Sequence, residues 1–191
     1  MKTSIIGILL LTFGCMASAA PWSIDDDAST ISFITTKKVD VAEINHFKRF
    51  SGQLTEHGAF TLNIELASVW TNVEIRDSRL KDILFEVGAF PVLELVAVVD
   101  MDKLSNIEVG ETEVMEIAAD IKLHGTMQRK ALLVTVAKLS DNRLLVASTQ
   151  PIIVNAAQYG FTSGIEKLRE IAGLSSISQS VPVSFILNLS R

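Results

Sequence analysis

Alternation between apolar and polar residues dominates this chain. In residues 60–66 every second residue is apolar and the others are polar, which predicts a strand with one buried and one solvated face. Residues 93–99 are largely apolar on both faces, so we expect that strand to be covered on both sides. Further strands are predicted in residues 117–123, 132–136 and 181–189, with shorter candidates in residues 30–35, 47–54 and 144–154.

Two segments depart from this pattern and predict short helices. Residues 163–166, Ser-Gly-Ile-Glu, have the spacing of a capping box, and Gly173 can end the helix that follows. Residues 77–85 carry apolar side chains at helical spacing and predict a second short helix. Pro151 predicts an edge, a bend or a bulge within residues 144–154. The chain is therefore expected to be mainly all-β, an antiparallel barrel with one or two short helices over its ends.

The N-terminus has the features of an export signal. A positive end precedes a short apolar run in residues 5–13, and residues 17–19, Ala-Ser-Ala, form a small-residue cleavage site. The run is shorter than the roughly 20 residues that a membrane-spanning helix needs. We expect residues 1–19 to be a cleaved signal peptide and residues 20–191 to form one periplasmic domain with no membrane-spanning segment. An uncleaved N-terminal anchor is the alternative.

Cys15 is the single cysteine, and it lies inside this signal. Cleavage leaves a chain that can form no disulfide and use no thiolate nucleophile. Lipidation of Cys15 is an alternative, although Thr12 and Phe13 suit a lipobox poorly. The whole chain carries a net charge of −5, and such an acidic balance argues against a nucleic-acid partner.

The residues that could carry chemistry do not form a known catalytic or metal-binding pattern. His46, His57 and His124 lack the spacing of metal ligands, so we expect no metal. His46 and His57 are interpreted as solvated loop residues, and His124 as a structural residue at a strand end. The sequence has no nucleophile elbow, dinucleotide motif or phosphate loop. We therefore expect no catalytic residue and no cofactor.

Arg76, Asp77 and Arg79 form the most specific charged cluster. One interpretation is an anchor for an anionic or polar head group at a pocket mouth, because a guanidinium binds planar acceptors well. The other interpretation, which we favour, is an Arg–Asp pair that fixes the start of a helix.

The same cluster opens residues 76–91, RDSRLKDILFEVGAFP, which resemble the central signature of the YceI-like family. Residues 47–52 are similar to the Phe-x-x-Phe-x-Gly of that family. Residues 123–126 are similar to its strand-ending His-Gly turn, and residues 159–161 to its late aromatic-Gly segment. The resemblance extends over essentially the whole chain after the signal. Some polar positions differ, among them Arg79, where the family usually has a histidine.

This resemblance implies an extended lipocalin-like antiparallel β-barrel that is exported to the periplasm. Some family members hold a long isoprenoid chain, such as a polyprenyl compound or a quinone tail. An eight-stranded barrel can enclose one slender apolar ligand, and each buried methylene contributes about 0.8 kcal/mol.

The expected function is non-enzymatic binding of an apolar, lipid-like ligand with an isoprenoid quinone or polyprenyl chain. One alternative is a protein-interaction or envelope stress module whose barrel is filled by its own side chains, and another is a hydrolase or isomerase. Oligomeric state is left open. The predicted ligand-binding residues, chosen from the large apolar side chains, are Phe33, Phe50, Leu66, Trp70, Leu84, Phe85 and Val96.

Overall fold

The computed structural model describes residues 20–191, so the predicted signal peptide and Cys15 lie outside the described residues. This part of the chain forms eleven strands, and every pairing between them is antiparallel. The strands are β1 Trp22–Lys37, β2 Val41–Phe47, β3 Phe50–Leu54, β4 Ala59–Glu65, β5 Val69–Trp70, β6 Val92–Val98, β7 Thr112–Leu123, β8 Thr126–Ser140, β9 Arg143–Ser148, β10 Ile152–Asn155 and β11 Ser180–Ser190.

Eight of these strands close into a barrel. Their order is β1-β3-β4-β6-β7-β8-β9-β11, and β11 returns to pair with β1. Strand β1 is long enough to serve two neighbours, because its start pairs with β3 and its second half pairs with β2. Strand β5 continues outward from β2, and β10 pairs with β11. The mainly β architecture, a closed antiparallel barrel with few short helices, confirms the predicted fold class.

The predicted strands are present, with two of them divided. Predicted strand 47–54 is interrupted at residues 48–49, which separate β2 from β3. Predicted strand 144–154 is divided into β9 and β10, and Pro151 lies in the gap between them. A proline has no N–H to donate to a neighbouring strand, so it favours such an interruption.

The expectation that β6 is covered on both sides is wrong. Leu93, Leu95 and Ala97 face the barrel interior, whereas Val96 and Val98 are 46% and 77% exposed. Successive side chains of a strand point to opposite faces, so the outward valines meet solvent. Apolar residue type alone does not require burial, since much of a folded protein's surface is apolar.

Three short α-helices accompany the barrel in the described residues: α1 Glu74–Arg79, α2 Met101–Ser105 and α3 Thr162–Ile171. Helix α1 continues into a π-helical turn, Leu80–Leu84, so the helix predicted in this region is confirmed. Helix α2 was not predicted. Among the described residues, none of the helices is long and apolar enough to cross a membrane.

The predicted capping box of α3 is wrong, while its predicted end is confirmed. The helix follows Phe161, which makes no side-chain capping bond, and Glu166 instead pairs with Arg169 at 2.7 Å. At the other end Gly173 adopts a left-handed φ of 62°. Its N–H donates to the carbonyl of Glu170, and the N–H of Leu174 donates to that of Arg169. This pair of bonds is a Schellman motif, which favours glycine at that position.

Candidate ligand-binding site

The barrel interior contains a cavity of about 590 Å³. Its wall is formed almost entirely by inward-facing apolar side chains. It extends between the two clusters of buried residues, from Leu54 and Leu144 in one to Phe85 and Phe161 in the other. Its volume lies within the range of about 300–1,000 Å³ that is usual for small-molecule sites.

Four of the predicted ligand-binding residues lie in the cavity wall: Phe33, Leu66, Leu84 and Phe85. The ring of Phe47 lies 5.2 Å from that of Phe33 and 5.9 Å from that of Phe85, so the aromatic residues form a continuous part of the wall. Contact of these residues with a ligand remains a prediction.

The other three predicted residues lie away from the cavity wall, which corrects their assignment. Phe50 is buried in the core outside the lining. Trp70 lies on the short outer strand β5, and the Lys48 ammonium packs 4.3 Å from the centre of its ring. Val96 faces outward from β6, because it is one residue out of phase with the cavity-lining positions.

Two paired strands change from apolar to polar lining at one end of the cavity. Along β1 the lining residues are Ile31 and Phe33, then Thr35 and Lys37. Asn45 on β2 is paired opposite Phe33 and also lines the cavity. The cavity is therefore amphipathic, with a polar end near the turn between β1 and β2.

The cavity reaches the surface beside helix α1. Val73 and Ile75 both line it, although they are 39% and 58% exposed. The next inward positions of the helix, Arg76 and Arg79, are partly buried lining residues. We call this polar, partly exposed end, formed by these four residues with Thr35, Lys37, Asn45 and Thr71, the mouth of the cavity.

A carboxylate beside the mouth binds two of its cations. One oxygen of Glu43 lies 2.5 Å from Lys37 Nζ and accepts a hydrogen bond from Arg76 Nη1 at 2.7 Å. Partial burial acts to raise the pKa of Glu43, but the hydrogen bond from Lys37 and the charge of Arg76 together outweigh it and lower the pKa. Glu43 therefore stays ionised and holds both cations at the mouth.

The predicted Arg76–Asp77 pair is not formed. Asp77 Oδ1 instead accepts hydrogen bonds from the backbone N–H of Thr71 at 2.8 Å and from its hydroxyl at 2.6 Å. Asp77 thus fixes the segment that leads into α1, whereas Arg76 joins the helix to β2 through Glu43. Adjacent helical residues point about 100° apart, which is why the two side chains reach different partners.

Among residues 20–191, two buried polar atoms in the cavity wall have no hydrogen-bond partner. Asn45 donates from Nδ2 to the Thr35 hydroxyl and the Glu43 carbonyl, but its Oδ1 accepts no bond. The Tyr159 hydroxyl is also unpartnered, and both residues are 1% exposed. Burial raises the pKa of Tyr159, so its phenol stays protonated and can donate. Buried polar groups normally have partners, so both atoms can bind polar groups of a ligand.

The three histidines have separate environments. His124 Nε2 lies 2.7 Å from Glu86 Oε2, and its Nδ1 lies 3.3 Å from the Tyr159 carbonyl. Its ring packs between those of Phe90 and Phe161. His124 therefore joins separate segments, as a structural residue would. His57 is exposed at a turn, but His46 lies in β2 against Trp70, which corrects its assignment to a loop. Within residues 20–191 no group of three or more metal-ligating side chains comes together.

The fold and sequence both have clear relatives. A polyisoprenoid binding domain from Saccharophagus degradans, implicated in plant cell wall breakdown, is 34% identical, with a TM-score of 0.86 over 88% of this chain and 97% of that domain. Burkholderia cenocepacia BcnA shares the fold at 17% identity, with a TM-score of 0.68 over 86% of this chain and 98% of its own. A Campylobacter jejuni YCEI protein also shares the fold at 16% identity, with a TM-score of 0.57 over 77% of this chain and 84% of its own.

Comparison with curated protein sequences gives no match. The sequence model of the YceI-like domain, in contrast, matches residues 22–189, nearly the whole described chain. This match and the 34% identical relative agree with the barrel described above. The chain therefore belongs to the YceI-like family.

Proposed function

We propose that this protein is a non-enzymatic carrier that binds the apolar tail of an isoprenoid lipid, of the polyprenyl or quinone type, inside its barrel. The observation that carries the proposal is the cavity of about 590 Å³, whose wall is mostly apolar and whose polar side chains lie mainly at its mouth. The relative that is 34% identical is described as a polyisoprenoid binding domain, which supports the same ligand class.

The distribution of polar groups suits an amphiphile. Each methylene that leaves water for the apolar wall contributes about 0.8 kcal/mol, so a long chain supplies most of the affinity. Polar side chains such as Thr35 and Asn45 lie at the mouth, where a head group would remain near water. An open cavity favours this function over the alternative of an interaction module whose barrel is filled by its own side chains.

Substitution of adjacent residues on β6 tests the proposal. Ala97 lines the cavity and Val96 faces outward, so Ala97→Phe adds a ring to the cavity while Val96→Phe adds it to the surface. We expect Ala97→Phe to weaken binding of geranylgeraniol about tenfold or more, measured by calorimetry, and Val96→Phe to bind as the wild type does. Circular dichroism checks that both variants fold. Unchanged binding by a folded Ala97→Phe would contradict a ligand inside the barrel.

We also propose that the protein acts in the periplasm after export. The support is the sequence of residues 1–19, with its positive end, short apolar run and Ala-Ser-Ala site. The intact mass of protein recovered from the periplasmic fraction tests this. We expect a chain that starts at Ala20; a lipid-modified chain that starts at Cys15 would contradict cleavage after Ala19 and make the protein membrane-tethered.

A further inference from the structure

We propose that the mouth selects an apolar chain with an anionic head group of the phosphate monoester type. This inference rests on the proposed carrier function and specifies its ligand class. It is carried by the charges that line the cavity and by an unpartnered polar atom at the same end.

The ionisable side chains at the mouth are all cationic. Among the described residues, Lys37, Arg76 and Arg79 line the cavity, and no aspartate or glutamate does. The chain as a whole is acidic, with a net charge of −5, so this local excess runs against its average composition. Cations that face an apolar cavity favour a ligand anion, because charges interact more strongly where water is excluded.

The nearby carboxylates neutralise these cations only in part. Glu43 binds Lys37 and Arg76 together, so one negative charge faces two positive ones. Asp77 is occupied by two hydrogen bonds from Thr71. These bonds leave the negative charge of Asp77 in place, so with Arg79 included three cations face two carboxylates and a net charge of +1 remains at the mouth.

Arg79 is the group most available to a ligand. It lies three residues after Arg76, so the two guanidinium groups share one side of α1. Its side chain is partly buried, lines the cavity, and makes no hydrogen bond or ion pair with the rest of residues 20–191. A guanidinium offers several N–H donors that match the oxygens of a phosphate group.

Asn45 narrows the choice of anion. Its Oδ1 is buried without a partner and can only accept, so it needs a donor on the head group. In its singly ionised form, which prevails below its second pKa of about 6, a phosphate monoester carries both anionic oxygens and an O–H. A carboxylate or a quinone carbonyl carries no donor. A prenyl alcohol carries a donor but no charge for the arginines.

Matched ligands and variants test this selection. Calorimetry would compare geranylgeranyl phosphate, geranylgeraniol and inorganic phosphate on the wild type, on Arg79→Gln and on Arg129→Gln. Arg129 is an exposed arginine on the outside of β8, so its variant controls for the loss of one charge. We expect the wild type to bind the phosphate about tenfold more tightly than the alcohol, as a charge-assisted hydrogen bond allows. Arg79→Gln should lose most of this preference, and Arg129→Gln should keep it.

Each other result has a distinct meaning. Equal binding of the phosphate and the alcohol by the wild type would overturn the head-group inference and leave the carrier function intact. Failure of both prenyl ligands to bind would contradict the carrier function itself. Inorganic phosphate that binds as tightly as the prenyl phosphate would show a free-anion site and overturn the inference. Retention of the full preference by a folded Arg79→Gln would also overturn it.

Discussion

At the scale of single residues, the mouth depends on two carboxylates with different partners. Asp77 accepts two hydrogen bonds from Thr71, which is buried, and so fixes the backbone before α1. Glu43 bridges Lys37 of β1 and Arg76 of α1. The first carboxylate shapes the segment that lines the opening, and the second holds its cations in position.

Removal of the Asp77 carboxylate should destabilise the fold. Asp77→Ala leaves the Thr71 N–H without its acceptor and leaves the Thr71 hydroxyl only the Val73 carbonyl at 3.4 Å, and such a loss costs about 1–3 kcal/mol when the groups are buried. We expect a lower midpoint in urea denaturation. Asp82→Ala, at an exposed position of the π-helical turn, is the control and should stay close to the wild type. Equal midpoints for the two variants would contradict this role of Asp77.

The bridge made by Glu43 should give stability that depends on pH. The pKa of Glu43 is lower in the folded state than in the unfolded chain, so its contribution is present above the unfolded value of about 4.3 and is lost as the pH falls through the folded value. The melting temperature of the wild type should therefore exceed that of Glu43→Gln at neutral pH, and the difference should shrink below about pH 4. A difference that is the same at pH 7 and pH 3 would show that the charge of Glu43 is not responsible.

Sequence periodicity predicted some cavity residues and could not predict others. Phe33 and Phe85 were identified as large apolar residues, but Val96, which faces outward, was assigned to the wall with equal reason. Which face of a strand is inside depends on where each strand begins and on its register. Those are set by contacts between distant strands.

At the scale of elements, α3 and the π-helical turn after α1 pack closely at one side of the cavity. A Cβ built on Gly164 of α3 would lie 2.9 Å from the Ile83 carbonyl oxygen and 3.2 Å from a methyl of Leu84. Ile165 of α3 and Leu84 of the turn both line the cavity. The glycine therefore permits the two segments to approach each other while both form part of the wall.

Gly164→Ala should disturb this contact. The added methyl meets backbone atoms that cannot turn away as a side chain can, and overpacking of this kind costs about 1–3 kcal/mol. We expect a lower melting temperature and faster hydrogen exchange in α3. Gly88→Ala is the matched control, since a Cβ at Gly88 has no atom within 4 Å. Gly164→Ala with the stability and exchange of the wild type would show that the close approach is not needed.

Strands were easier to predict than the limits of elements. The alternation in residues 181–189 corresponds closely to β11, because one face of that strand packs inside the barrel. Strand β1 begins at Trp22, well before the predicted residue 30. The prediction missed this first part because Asp25, Asp26 and Asp27 are exposed and interrupt the alternation. The register with β11 also shifts between Asp25 and Thr30, an irregularity that no period-two pattern contains.

At the scale of the whole molecule, pairing of β11 with β1 closes the barrel and creates an interior. Alternation of apolar and polar residues predicts a buried face, but it predicts a packed core and an open cavity equally well. The cavity depends on the number of strands and on the side chains that meet across the interior. The strand pattern and the resemblance of residues 76–91 to the YceI-like family both predicted the barrel, whereas the amphipathic character of its cavity is seen only in three dimensions.

Native mass spectrometry of the protein purified from the cells that make it tests the central claim most directly. The account predicts a second species, heavier than the bare chain, that dissociates on activation and yields a lipid with an isoprenoid chain on organic extraction. Ala97→Phe, purified in the same way, should carry less of it, while Val96→Phe should carry as much as the wild type. A wild-type protein recovered only as the bare chain, and unable to take up geranylgeraniol or geranylgeranyl phosphate when they are added, would contradict the account.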